Sequence, residues 1–121
     1  MNRGRSPRHA IKKLIKSGDG LSNPTPDCDL EVCYTGKLTG SGEVFDAEFA
    51  EGANRSGSRK MKFKDPSMPP GFWMVVETMR EGEKAMAILH HKVAFGNEGN
   101  AALGVPPDAF VEYEVRPCSA R

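Results

Sequence analysis

The residues of this chain best placed to do chemistry are apolar and lie in and around one stretch, 81–115. A short apolar run at 84–89 is followed by an irregular segment, a long Gly-rich loop, Val105-Pro106-Pro107 and a second strand pattern. The loop carries Phe95 and Val105 on two arms. Such a loop folds over the face of a sheet and closes one end of an apolar pocket. The polar candidates are weaker. His90 and His91 are neighbours on an extended segment, so one packed and one exposed ring is expected rather than two ligands of one ion. Gly96, Gly99 and Gly104 do not make a phosphate loop, because no helix start follows at the required spacing. Cys28, Cys33 and Cys118 are odd in number and form no CxxC pair, which fits reduced thiols better than a disulfide or zinc site. No metal and no cofactor is expected.

The elements that must position these residues are short. Ala10–Lys16 reads as an edge strand, and 18–27 as a turn region marked by Gly-Asp-Gly, Asn-Pro and Thr-Pro-Asp. Residues 28–38 are the clearest strand: Leu30, Val32, Tyr34, Gly36 and Leu38 face the core, and Glu31, Cys33, Thr35 and Lys37 face solvent, with Cys33 a small packing residue. A tight connection at 39–42 leads to a returning strand, 43–49, with Phe45 and Asp46. A polar loop at 50–59 precedes a strand at 60–64 whose Met61 and Phe63 point inward. The Pro-rich segment 65–70 leads into the one convincing helix, 71–79, with Pro70 in its first turn. Phe72, Val75, Val76 and Met79 fall at i, i+3, i+4 and i+7 and form its apolar face. Trp73 falls off that face. It is expected either partly buried beneath the 50–59 loop or exposed as an anchor for a protein partner. In the last strand Ala109, Val111, Tyr113 and Val115 alternate with Phe110, Glu112 and Glu114. The expected fold is α+β: an antiparallel half-barrel sheet of five or six strands wrapped around one short helix.

Composition fits this reading. The chain has 121 residues, enough for one domain with a modest core. Seventeen Lys and Arg against sixteen Asp and Glu leave a net charge of +1, so no strong field steers the domain to nucleic acid or to a membrane. The longest apolar run, 72–76, cannot span a bilayer, and the first ten residues contain no apolar core of a secretory signal. Residues 1–9, with Arg3, Arg5 and Arg8, read as a disordered basic arm; 10–117 form the domain and 118–121 a tail.

In order along the chain, VCYTGKL at 32–38, VFD at 44–46, GF at 71–72, MREGE at 79–83, AFG at 94–96 and VPP at 105–107 resemble the FKBP-type immunophilins, which are macrolide-binding peptidyl-prolyl cis-trans isomerases. In its departures from the family's common residues, the chain resembles the divergent FKBP domains of multidomain co-chaperone immunophilins. It implies a half-barrel on one helix with a shallow apolar pocket between them, and a rotamase function in protein folding. By the resemblance, Tyr34 and Phe45 are pocket walls, Asp46 is the polar group beside Tyr34, Met61 is a side wall and Phe72 is the floor under the proline ring. Phe95 and Val105 close the pocket from the loop, and Tyr113 closes it from the last strand. Met68 and Pro69 occupy the place before the helix where the family commonly contacts the ligand.

Three departures stand out. Phe95 replaces the family's common Tyr and removes a hydroxyl. Phe72 replaces Trp at the floor. Pro69 stands where a backbone N–H would meet the ligand, and proline has none, which leaves Met68 as the alternative donor. Arg55 and Arg59, in a loop longer than usual, match no family position. The resemblance therefore implies a prolyl isomerase acting on X-Pro peptides, and as its alternative a catalytically inactive FKBP-like binding or scaffold domain. Implied partners are macrolides of the FK506 and rapamycin kind and the chaperone system. A monomer in the cytoplasm or nucleus is expected.

Overall fold

The computed structural model describes residues 9–18, 29–47, 49, 58–80 and 82–120, without the side chains of 118–120. The basic arm at 1–8, the turn at 19–28 with Cys28, and residues 50–57 of the polar loop lie outside these residues, as does the side chain of Cys118.

Six strands and one helix are present among the described residues: β1 (Ala10–Lys16), β2 (Asp29–Leu38), β3 (Val44–Asp46), β4 (Arg59–Lys62), α1 (Pro70–Val76), β5 (Lys84–Leu89) and β6 (Val111–Ala120), with a 3-10 turn at His91–Val93. The sheet is antiparallel and runs β1-β5-β6-β2-β3, with β4 also paired to β2. β1 is the expected edge strand. Ile11, Leu14 and Ile15 are exposed on it, and its lysines and a register shift between Leu14 and Lys16 protect the edge from further pairing.

Alternation decides what is buried. Leu30, Val32, Tyr34 and Gly36 of β2, Ala85, Ala87 and Leu89 of β5, and Val111, Tyr113 and Val115 of β6 all face the helix. From α1, Phe72, Val75 and Val76 enter the same core, with Met79 just beyond it. Gly71 lets the helix start approach the sheet: a Cβ there would lie 2.7 Å from Leu89 Cδ2 and 2.8 Å from the Val93 carbonyl oxygen.

Several elements differ from the sequence reading. α1 starts on Pro70, with Pro69 as its extended N-cap, and ends at Val76 rather than at 79. The Thr78 hydroxyl donates to the Val75 carbonyl at 2.7 Å, and the Thr78 and Met79 amides tighten onto Val75 and Val76 as i to i+3 bonds. β3 is three residues rather than seven: Val44 lies opposite Lys37 and Asp46 opposite Gly36, with a register shift between the two pairs. β4 begins one residue earlier, at Arg59, and stops at Lys62, where the chain turns through Lys64 at φ 71. β6 runs through Ala120, with Ser119 opposite Glu31 and Ala120 opposite Leu30, so pairing extends into the segment expected to be a tail. Cys33, expected to face solvent, is buried. Arg116 lies directly across from it, and the Lys84–Glu114 ion pair at 3.1 Å lies beside it, so long side chains cover this part of the outer face.

Candidate active site

The site grows from a split in the sheet edge. β3 pairs with β2 at Gly36 and Lys37, and β4 pairs with the same edge at 29–32. Tyr34 lies in the gap between them, and its amide donates instead to the Phe49 carbonyl at 3.0 Å. Asp46 at the end of β3 and Arg59 at the start of β4 therefore flank Tyr34.

On the inner face the aromatic residues form one edge-to-face network. Tyr34 meets Phe72 at 5.6 Å between centroids and Tyr113 at 6.0 Å; Phe72 meets Tyr113 at 5.3 Å. Phe45 joins through Tyr113 at 5.8 Å, and Phe95, reaching in from the 90–110 loop, joins through Phe45 at 5.8 Å. Gly36 makes this approach possible. A Cβ there would fall 2.8 Å from both Phe45 Cζ and Tyr113 Cε1, closer than side chains pack. Phe45 and Phe95 are half-buried, whereas Phe72 is 0% and Tyr34 2% exposed.

The loop arms are held by their own backbone. Asn100 and Val105 form an isolated bridge, the Gly99 amide donates to Phe95 O at 3.1 Å and the Asp108 amide to Gly96 O at 3.0 Å. Gly99, at φ 69, passes against the Val105 and Pro106 carbonyls where no Cβ fits. Val105 is buried in the same core as Met61, Met68, Tyr34 and Phe72.

The polar frame centres on Arg59. Its Nη1 donates to the Tyr34 hydroxyl at 3.0 Å and lies 3.7 Å from Met68 Sδ; its Nη2 donates to Ser67 Oγ at 2.8 Å. The guanidinium also lies 5.9 Å from the Phe49 ring. Partial burial opposes the charge of Arg59. The hydrogen bond to Tyr34 and the fields of Tyr34, Asp65 and Asp46 outweigh it and raise the pKa, so Arg59 stays a cation. Burial, reinforced by Asp46 and Tyr34, pushes the Tyr113 hydroxyl far up, and it stays protonated.

Tyr34, Phe45, Phe72, Phe95, Met61, Met68, Val105 and Tyr113 are thus brought together, with Asp46 close enough to act on Tyr113 and Arg59. Pro69 serves as the helix N-cap. The Met68 amide, the alternative donor, is engaged by Asp65 O at 3.2 Å. Trp73 is not an exposed anchor. It is 4% exposed, stacked edge-on against Phe63 at 5.4 Å and Phe72 at 5.1 Å, and its indole N–H donates to Asp65 O at 2.9 Å. It braces the pocket floor from behind. His90 and His91 do not splay apart as expected. Their rings lie 4.3 Å apart and both meet Phe110, because the extended backbone ends at His90 and the 3-10 turn starts at His91. Among the described residues, no group of three His, Cys, Asp or Glu side chains is arranged to hold a metal ion. Arg59 and Gly36 are the residues whose part in the site the sequence reading missed. Arg59 stands two residues before inward-facing Met61 on β4, and that period was the available signal.

Comparison with known proteins agrees with this geometry. The chain is 28% identical over 109 residues to a macrophage infectivity potentiator of Trypanosoma cruzi, covering 90% of this chain and 52% of that protein. It is 32% identical over 108 residues to a Mus musculus protein named inactive peptidyl-prolyl cis-trans isomerase FKBP6, covering 89% and 31%. Among solved structures, the N-terminal domain of FKBP42 from Arabidopsis thaliana superposes with a TM-score of 0.78 at 25% identity, covering 94% of this chain and 87% of that one. The chain spans about half of the first relative's length and under a third of the second's. The family model of FKBP-type peptidyl-prolyl cis-trans isomerases matches residues 20–116, most of the chain and all the site residues above, and the chain belongs to that family.

Proposed function

We propose that this domain accelerates cis–trans rotation about X-Pro peptide bonds. The observation that carries the reading is the edge-to-face cluster of Tyr34, Phe45, Phe72 and Tyr113, closed at one side by half-buried Phe45 and Phe95. Rotation about a prolyl amide faces a barrier of about 20 kcal/mol, because resonance gives the C–N bond double-bond character. Resonance also places partial charge on the carbonyl oxygen, which water stabilises. A dry aromatic pocket withholds that water and favours the twisted, less resonant amide, with no need for a nucleophile or metal. In this reading Phe72 supports the proline ring, Phe45 and Tyr34 flank it, and Phe95 limits water access.

A second reading, a binding module without catalysis, is favoured by one feature. Phe72 and Tyr34 are almost fully covered by the surrounding side chains, which leaves little of either ring to meet a substrate. The relative named as inactive points the same way. Isomerisation of a short X-Pro peptide in a protease-free optical assay separates the two readings, with Phe45→Ala as control. Uncatalysed exchange takes tens of seconds, so weak catalysis is visible. A rate that rises with protein concentration and falls in Phe45→Ala supports the isomerase. A rate equal to the blank, from folded protein that still binds the peptide, supports the module.

Macrolide binding, chaperone-system partners, a monomeric state and a cytoplasmic or nuclear location belong to the same proposal. They rest on family membership and on the sequence's charge and cysteine content. Titration with a macrolide, pull-down of a chaperone, light scattering and imaging of the tagged full-length protein test them in turn.

A further inference from the structure

A peptide carbonyl carried into an apolar site loses its water and needs a donor. Among the described residues, the main chain around this site has few to give. Pro66, Pro69 and Pro70 have no N–H. The Asp65 amide is engaged by Lys62 O at 3.0 Å, Ser67 by Asp65 Oδ1 at 2.8 Å, Met68 by Asp65 O at 3.2 Å and Phe72 by Pro69 O at 3.1 Å. On the facing elements, the amides of Tyr34, Gly96, Gly99 and Val105 are also engaged. Arg59 differs. It bridges Tyr34 on β2 to Met68 and Ser67 ahead of α1, it is only partly buried, and it commits three of its five N–H groups to these partners.

We infer that Arg59 donates a hydrogen bond to the carbonyl of the substrate proline itself, the role that the proline-rich segment before α1 cannot fill. The inference rests on the isomerase reading for its substrate. The proline carbonyl lies on the same side of the rotating bond as the ring. A donor on it holds the prolyl half still while the acyl half turns. The contact is equal in the cis, twisted and trans forms, so it strengthens binding and leaves the turnover of bound substrate unchanged.

The test is a cycle of two proteins and two ligands. The ligands are an acyl-Ala-Pro amide peptide and its analogue ending in 2-methylpyrrolidine, which keeps the ring and the rotating bond but has no carbonyl on the ring side. Dissociation constants come from NMR titration of the full chain, and exchange rates at saturation from line shapes. Arg59→Met is expected to weaken the proline peptide about tenfold, the scale of one charged hydrogen bond, and the analogue less than twofold. A loss in the exchange rate of bound proline peptide without a loss of affinity overturns the inference. Arg59→Lys, which keeps the charge, recovers part of the loss and serves if the methionine variant does not fold. Equal losses for both ligands overturn the inference, because Arg59 then only braces Tyr34 and Met68; so does no loss at all. If the unaltered protein binds the proline peptide without catalysing its exchange, the isomerase reading fails while the cycle still decides the role of Arg59. If it binds neither ligand, both fail.

Discussion

Gly36→Ala is the smallest change that tests how the aromatic network is held. An alanine Cβ at this position would lie 2.8 Å from Tyr113 Cε1 and 2.8 Å from Phe45 Cζ, with Phe45 Cε1 at 3.0 Å. Carbon atoms pack favourably at about 3.5–4.0 Å, so each ring must give by most of an ångström. Tyr113 has nowhere to go. It is 1% exposed and held edge-on by Phe72 and Tyr34. Phe45 is half-buried on a three-residue strand, so Phe45 moves, and with it the contact to Phe95. Overpacking of this kind costs about 1–3 kcal/mol, and the reduced freedom of the unfolded chain offsets about 0.4–1 kcal/mol. The net, about 1–2 kcal/mol, corresponds to a fall in Tm of roughly 3–10 °C for a domain of this size. Thermal melts followed by far-UV circular dichroism give the stability change, and near-UV dichroism with peptide titration reports on the displaced ring. An unchanged or higher Tm with unaltered peptide affinity would refute the argument that the glycine is there to admit the two rings.

The remaining expectations concern the floor, a buried ion pair and the histidine stack. Trp73→Ala should lower stability by about 3–5 kcal/mol in urea melts, and Trp73→Phe by less, since it keeps a ring but loses the bond to Asp65 O; a midpoint unchanged by the alanine would show that the indole braces nothing. Lys12 Nζ lies 2.6 Å from Glu83 Oε2, and Glu83 is 7% exposed, so Lys12→Met strands a nearly buried carboxylate. The expected loss is about 1–3 kcal/mol, partly recovered by adding Glu83→Gln, and no recovery in the double variant would deny the coupling. The pKa of His90 is lowered, by desolvation first and then by His91, His9 and Lys92. The unfolded chain therefore takes up the proton first. Stability is full above the ordinary value of 6.5 and is lost as pH falls from there toward the folded value, levelling off below it. Melts from pH 7.5 to 5 should show this slope, and His90→Gln should flatten it; an equal slope in the variant would assign the effect elsewhere.

Much of the fold was readable because it is periodic. Alternation in β2 and β6 placed Tyr34 and Tyr113 inward, and the i, i+3, i+4, i+7 pattern placed Phe72, Val75, Val76 and Met79. What escaped depends on contacts between distant segments. Cys33 is buried because β6 sets Arg116 across from it, and no local pattern announces that register. Trp73 lies off the helix stripe yet is covered, because Phe63 and Asp65 of the preceding turn wrap around that side of α1. Arg59 was within reach of local reasoning. A strand that starts at 60 leaves Arg59 in a loop, whereas one more step of the same period puts it inward beside Met61.

The split sheet edge ties these features to the chemistry. If β3 continued to pair past Gly36, it would run along β2 beside Tyr34, and the Tyr34 amide would join the ladder instead of bonding to Phe49 O. Asp46 would then sit mid-strand, and the start of β4 would be pushed away from the Tyr34 hydroxyl. The end of pairing after Gly36 leaves a gap at Tyr34, with an acid on one lip and Arg59 on the other. An apolar pocket gains a flexible cationic donor this way, at the boundary where an edge strand ends. The prolines before α1 fix the helix start but remove main-chain donors from that side. Arg59 and the Pro69-Pro70 pair are then linked by physical necessity: the stiffer the entry to the helix, the more the site depends on a side chain reaching across from β4.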